Sequence, residues 1–113
     1  MNNINDELNN ELYKFCKIDT PNSLEIIKQL INNGANINFI NYTSNTPLHV
    51  ACFYQCKDII IYLLENGADY NILNIKGKTP IDLMVPPAGS YYSDDPIIIL
   101  RNDIIKFITK WYN

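Results

Sequence analysis

The sequence predicts an all-α protein built from stacked helix–turn–helix units, and three observations carry that reading. Asn33-Gly34-Ala35-Asn36-Ile37-Asn38 recurs as Asn66-Gly67-Ala68-Asp69-Tyr70-Asn71, a shift of 33 residues. Thr46-Pro47-Leu48-His49 falls on Thr79-Pro80-Ile81-Asp82 at the same shift. Apolar stretches, Leu24 to Ile31 and Ile59 to Leu64, run up to each Asn-Gly pair. Two separate motifs that keep one period are the mark of a repeat. One such unit cannot cover its own apolar face, so neighbours must stack.

Taken in chain order, Asp6, Glu7 and Glu11 sit in a first helix, where acids favour the N-terminal turn. Its Leu12 and Cys16 match Leu48 and Cys52 if about three extra residues enlarge the turn around Asp19 to Ser23. The helix over Leu24 to Ile31 ends at Gly34, where a residue in the left-handed region closes the last turn. A polar, extended stretch leads to Thr46, which caps a helix with Pro47 in its first turn, where a missing N–H costs nothing. Leu48, Ala51 and Cys52 face the partner helix, and Ile59, Ile60, Leu63 and Leu64 form the core between units.

Gly67 repeats the stop, and Thr79 with Pro80 predicts another helix start near residue 80. The pattern then breaks after Met84 into Val85-Pro86-Pro87-Ala88-Gly89-Ser90-Tyr91-Tyr92-Ser93. Asp95 as cap and Pro96 in the first turn restart a helix, whose Ile97, Leu100, Ile104, Phe107, Ile108 and Trp111 share one stripe and close the C-terminal end of the stack.

Composition bounds the function. The chain has 113 residues, a hydrophobic fraction of 47% and a net charge of -3. That is one globular domain with no general attraction for phosphate backbones, so nucleic acid is not an expected partner. No apolar run is long enough to cross a bilayer, so no membrane partner is expected either. Three cysteines without framework spacing suit a reducing compartment, and the expected location is the cytoplasm, with the nucleus as the alternative.

Thr46-Pro47-Leu48-His49-Val50-Ala51-Cys52, followed by Leu63-Leu64-Glu65-Asn66-Gly67-Ala68-Asp69-Tyr70-Asn71, resembles the ankyrin-repeat consensus. The match is closest over residues 45–73 and extends to 24–38 and 77–83. The resemblance implies a solenoid of antiparallel helix pairs, L-shaped in section, with β-hairpin-like fingers. It divides a single domain, 1–113, into an N-terminal cap unit (4–41), a near-consensus unit (42–74) and a C-terminal cap unit (75–113) with an insertion at about 86–95. The turn Gln55-Cys56 lacks the glycine that the family prefers, which predicts a non-glycine residue at positive φ at a cost of about 1 kcal/mol.

His49, Cys52 and Cys56 could present three metal ligands on one helical face. The resemblance instead gives His49 a role in tying neighbouring loops together and makes the cysteines core and turn residues. Neither a metal nor any other cofactor is expected. No nucleophile, base and orienting acid assemble around the single histidine, and Gly77-Lys78-Thr79 lacks the upstream glycine of a phosphate loop, so an enzyme is not expected.

The resemblance implies a protein-interaction module. Ankyrin proteins bind through finger tips and the concave face of the first helices, which here are Ile40, Tyr42, Thr43 and Asn45 in the first finger, Phe53 and Tyr54 on the following helix, and Leu73, Ile75, Lys76 and Lys78 in the second finger. Six of these ten are apolar or aromatic where solubility alone favours polar residues. A second protein is the expected partner of a monomeric chain. A cysteine-based metal-binding or redox-sensing protein, and a self-associating fragment of a longer array, are the alternatives.

Overall fold

The computed structural model describes residues 4–86 and 95–112, the last two by their backbone alone. It contains α1 (Ile4–Phe15), α2 (Pro21–Asn32), α3 (Pro47–Phe53), α4 (Lys57–Glu65), a single 3-10 turn (Ile81–Leu83) and α5 (Pro96–Tyr112). Strands are absent among the described residues. The molecule is elongated, 48 × 29 × 27 Å, as a short stack of helix pairs should be.

α2 and α3 start where a threonine caps them, whereas α4 starts after Cys56 without a side-chain cap. The Thr46 side chain accepts the His49 N–H while the His49 side chain accepts the Thr46 N–H, a reciprocal capping box with Pro47 behind it. Thr20 caps α2 without the reciprocal bond, accepting Ser23 N–H at 3.0 Å, with Pro21 in the first turn. Gly34 (φ 112°) and Gly67 (φ 95°) follow α2 and α4 in the left-handed region, where a Cβ would be strained. Two Schellman-type bonds result, Ala35 N–H to Leu30 O and Ala68 N–H to Leu63 O, each 2.9 Å.

The turn of the first unit is wider than that of the second, residues 16–20 against 54–56, but the extra residues do not all lie in it. α2 has 12 residues against 9 in α4, so they add a turn to the start of the second helix, and Thr20-Pro21 provides the start signal. In the third unit the expected helix at residue 80 shrinks to one 3-10 turn. Thr79 and Asp82 form the cap, Asp82 N–H to Thr79 Oγ1 at 3.2 Å and Thr79 N–H to Asp82 Oδ2 at 3.0 Å. Val85-Pro86 then stops propagation, because Pro86 removes a backbone donor and biases the preceding residue away from the helical region.

A single core runs through the stack. Leu12 and Cys16 of α1, Ile27 of α2, Leu48, Ala51 and Cys52 of α3 and Ile59, Ile60, Leu63 and Leu64 of α4 are all buried. α5 begins at Pro96 with Asp95 Oδ1 accepting Ile97 N–H at 3.0 Å, and it buries Ile97, Ile104 and Ile108 against the end of the stack. Leu100 and Phe107 are half-buried on the same stripe; the Trp111 side chain and the segment with Tyr91 and Tyr92 lie outside the described residues. An exposed Lys57–Asp103 pair at 3.7 Å adds little to this docking.

Candidate functional site: the finger face and the groove beside α3

The two fingers are tight turns repeated at 33 residues. Asn41 N–H bonds Asn45 O and Ser44 N–H bonds Asn41 O; Asn74 N–H bonds Lys78 O and Gly77 N–H bonds Asn74 O, at 2.9–3.1 Å. An asparagine side chain holds each turn from inside. Asn41 Oδ1 accepts the N–H groups of Thr43 and Asn45, and Asn74 Oδ1 accepts those of Lys76 and Lys78, each at 3.0 Å. The resemblance led us to expect β-hairpin-like fingers; these have hairpin closure without a ladder.

The fingers are joined to each other as well. Ile75 N–H bonds Thr43 O at 3.0 Å, and Asn74 Nδ2 donates to Asn45 Oδ1 at 3.0 Å. Asn45 Nδ2 donates in turn to Thr43 Oγ1 at 2.9 Å, whose hydroxyl donates to Asn41 Oδ1 at 2.7 Å. At the loop base, Asn38 Nδ2 donates to Gly67 O and Asn38 Oδ1 accepts Asp69 N–H at 2.8 Å.

His49 anchors the second finger to α3. Its Nδ1 accepts the Thr46 N–H at 3.0 Å, so the proton sits on Nε2, which donates to Lys78 O at 2.9 Å. The imidazole is buried, and that desolvation lowers its pKa, partly opposed by its backbone hydrogen bonds to Lys78 and Ile72. Both ring nitrogens are therefore committed to the fold.

Tyr13 does for the first finger what His49 does for the second. Its hydroxyl accepts Asn41 N–H at 3.0 Å and stands within donating reach of Phe39 O, at 2.8 Å, and of Asn45 O. Burial pushes its pKa up to about 12, against the opposing bond from Asn41. Sequence reasoning missed Tyr13, Asn41 and Asn74. Each was findable: Tyr13 precedes His49 by the same interval as Leu12 precedes Leu48, and Asn41 and Asn74 keep the 33-residue shift.

The three thiols are free and buried. Burial drives Cys16 and Cys52 far above the ordinary thiol range, reinforced by Cys56, and pushes Cys56 up to about 11, with Asp19 adding to it. Protonated, enclosed thiols are poor ligands and poor nucleophiles.

Between the fingers and α3 lies an open groove of about 350 Å³, lined by Thr43, Asn45, His49, Val50, Phe53, Tyr54, Asn74, Ile75, Lys76 and Leu83. Six of the ten residues expected on the binding face line it: Thr43, Asn45, Phe53, Tyr54, Ile75 and Lys76. Ile40, Tyr42, Leu73 and Lys78 are exposed on the fingers outside that lining. Tyr42 is 93% exposed and Ile75 72%, while Thr43 and Asn45 are half-buried and belong to the turn network as much as to the surface. Phe53 and Tyr54 touch edge to face, centroids 5.1 Å apart, yet both remain at least half exposed.

Stacked helix pairs, capped by Thr-Pro and closed by Asn-Gly, with loops bonded from unit to unit, define a helical-repeat solenoid whose fingers project from one side. A profile of ankyrin repeats in three copies matches residues 2–81. The chain belongs to the ankyrin-repeat family, whose repeats are in general protein–protein interaction modules and typically non-catalytic. Over 50 residues it is 42% identical to stress-activated protein kinase alpha of Dictyostelium discoideum; the match covers 43% of this chain and 8% of that protein. Among the described residues no helix is long and apolar enough to cross a membrane.

Proposed function

We propose that this chain is a non-catalytic interaction domain that binds another protein through the finger tips and the groove beside α3. The observation that carries the reading is the set of six apolar side chains left in solvent on these elements: Ile40, Tyr42, Phe53, Tyr54, Leu73 and Ile75. The fold consumes the polar residues between them in its turn network and leaves the apolar ones unused. Such exposure gains nothing for an isolated domain and is what a protein interface buries. Three free, buried thiols favour action in a reducing compartment, the cytoplasm or the nucleus.

The test is a triple variant, Tyr42→Ala, Phe53→Ala and Tyr54→Ala, set beside the unaltered chain in affinity capture from cells of the source organism. Helicity and melting temperature should stay close to those of the unaltered chain while specific capture disappears. Unfolding of the variant would place these side chains in the core and remove the basis of the reading.

A further inference from the structure

We infer that the groove takes an extended acidic peptide segment, one large apolar side chain seated against Phe53 and Ile75 and neighbouring carboxylates meeting Lys76 and Lys78. This rests on the reading of the face as a protein-binding surface and names the chemistry of its occupant.

Charge is the first reason. In a chain with a net charge of -3, Lys76 is the one ionic side chain lining the groove, and Lys78 follows two residues along the same turn. Among the described residues, neither ammonium lies within ion-pair distance of a carboxylate. The carboxylate nearest in sequence, Asp82, accepts the Thr79 N–H; that bond chiefly holds it below its usual range, with Lys78 and Arg101 adding to the effect. Two cations outside any ion pair of the described residues, beside an apolar lining, are complementary to an acidic, partly apolar ligand.

Rigidity is the second reason. Asn74 Oδ1 binds the N–H of both Lys76 and Lys78, and Lys78 O is held by His49, so the turn bearing the two cations is fixed before any ligand arrives. The groove's side-chain amides are engaged with one another, Asn74 to Asn45 and Asn45 to Thr43, which leaves apolar contact and the lysine charges as the main sources of recognition. A volume of about 350 Å³ is near the low end for ligand sites and suits one or two side chains of an extended segment.

The experiment selects binders to the whole chain from a random-peptide display library and measures the enriched synthetic peptides by fluorescence anisotropy. Enriched sequences should pair a Leu, Phe or Met with Asp or Glu. Lys76→Glu with Lys78→Glu should weaken them by about tenfold or more, at unchanged melting temperature, and added salt should weaken them too. Neutral peptides that bind the double variant undiminished yet fail with Phe53→Ala and Tyr54→Ala overturn the acidic assignment and leave the protein-binding face standing. Peptides indifferent to both sets of changes, or no enrichment at all, overturn both. Co-sedimentation with phosphatidylserine-containing phosphatidylcholine vesicles, lost on Tyr42→Ala and Leu73→Ala, overturns the peptide assignment in favour of a lipid surface.

Discussion

The Tyr13 hydroxyl and the His49 imidazole occupy equivalent places one unit apart, each reaching from the first helix of its pair to the carbonyl that closes the next finger. Tyr13 reaches Asn45 O, His49 Nε2 lies 2.9 Å from Lys78 O, and the two carbonyls keep the 33-residue shift. A phenol and an imidazole differ in size and acidity but share what the position needs: a polar atom at the end of a flat ring, presented from the first helix of a pair. Their titration differs, and so do the consequences of altering them.

Tyr13→Phe removes one of the two acceptors of the Asn41 N–H, which keeps Asn45 O at 3.1 Å, and the donor to the finger carbonyls, while keeping the ring that stacks edge-on to Phe39 at 5.7 Å. Loss of a typical intramolecular hydrogen bond costs about 0.5–1.5 kcal/mol. Urea denaturation should show a loss of that size, and amide exchange at Asn41 and Asn45 should accelerate more than at Asn74.

His49 makes stability depend on pH in a defined direction. Its pKa in the folded chain lies below the ordinary 6.5, so the unfolded chain binds the proton more readily. The contribution of neutral His49 is complete above about pH 6.5 and is lost as pH falls toward the lower folded value, because protonated Nδ1 would confront the Thr46 N–H. The melting temperature should drop between about pH 7.5 and pH 5.5. With one histidine in the sequence, His49→Gln should lower stability at the higher pH and flatten that dependence.

Gln55 adopts φ 60° in the turn between α3 and α4, as the missing glycine led us to expect, and Ser44 adopts φ 61° in the first finger where the second has Gly77 at 72°. Gln55→Gly relieves the left-handed strain and gives back part of it as unfolded-chain entropy, for a net gain of about 0.5–1 kcal/mol. Thermal melting at neutral pH checks the sign.

α5 is the lid on the last apolar surface of the stack, and Ile104, fully buried on it, sits where a truncation should be felt. Ile104→Ala should cost about 2–5 kcal/mol in urea denaturation, whereas Ile105→Ala, on a residue 39% exposed, should cost far less. Equal losses would mean that α5 packs by a different face.

Much of this molecule was legible before any coordinates. The period of 33, the helix starts at Thr46-Pro47 and Asp95-Pro96, the stops at Gly34 and Gly67 and the buried series Leu48, Cys52, Ile59, Ile60, Leu63 and Leu64 all follow from local rules, because capping, glycine geometry and helical periodicity act within a few residues. The exposed apolar set on the fingers was legible as well, since the repeat register says which positions the core leaves free.

What the sequence could not decide depended on residues far apart in it. A cap at Thr79-Pro80 promised a helix, and only the chain beyond Met84 limited it to a 3-10 turn. Three extra residues before Gly34 read as a wider turn around Asp19 to Ser23, and only the tertiary structure, which packs α2 along α1, carries residues 21–23 into the helix. Thr43 and Asn45 looked like free finger positions; the tertiary fold brought Asn74 and Ile75 against them and turned them into part of the floor beneath Phe53, Tyr54 and Lys76. A hydrogen bond across some thirty residues has no local signature beyond the repeat itself, so the groove exists only once the two fingers stand side by side.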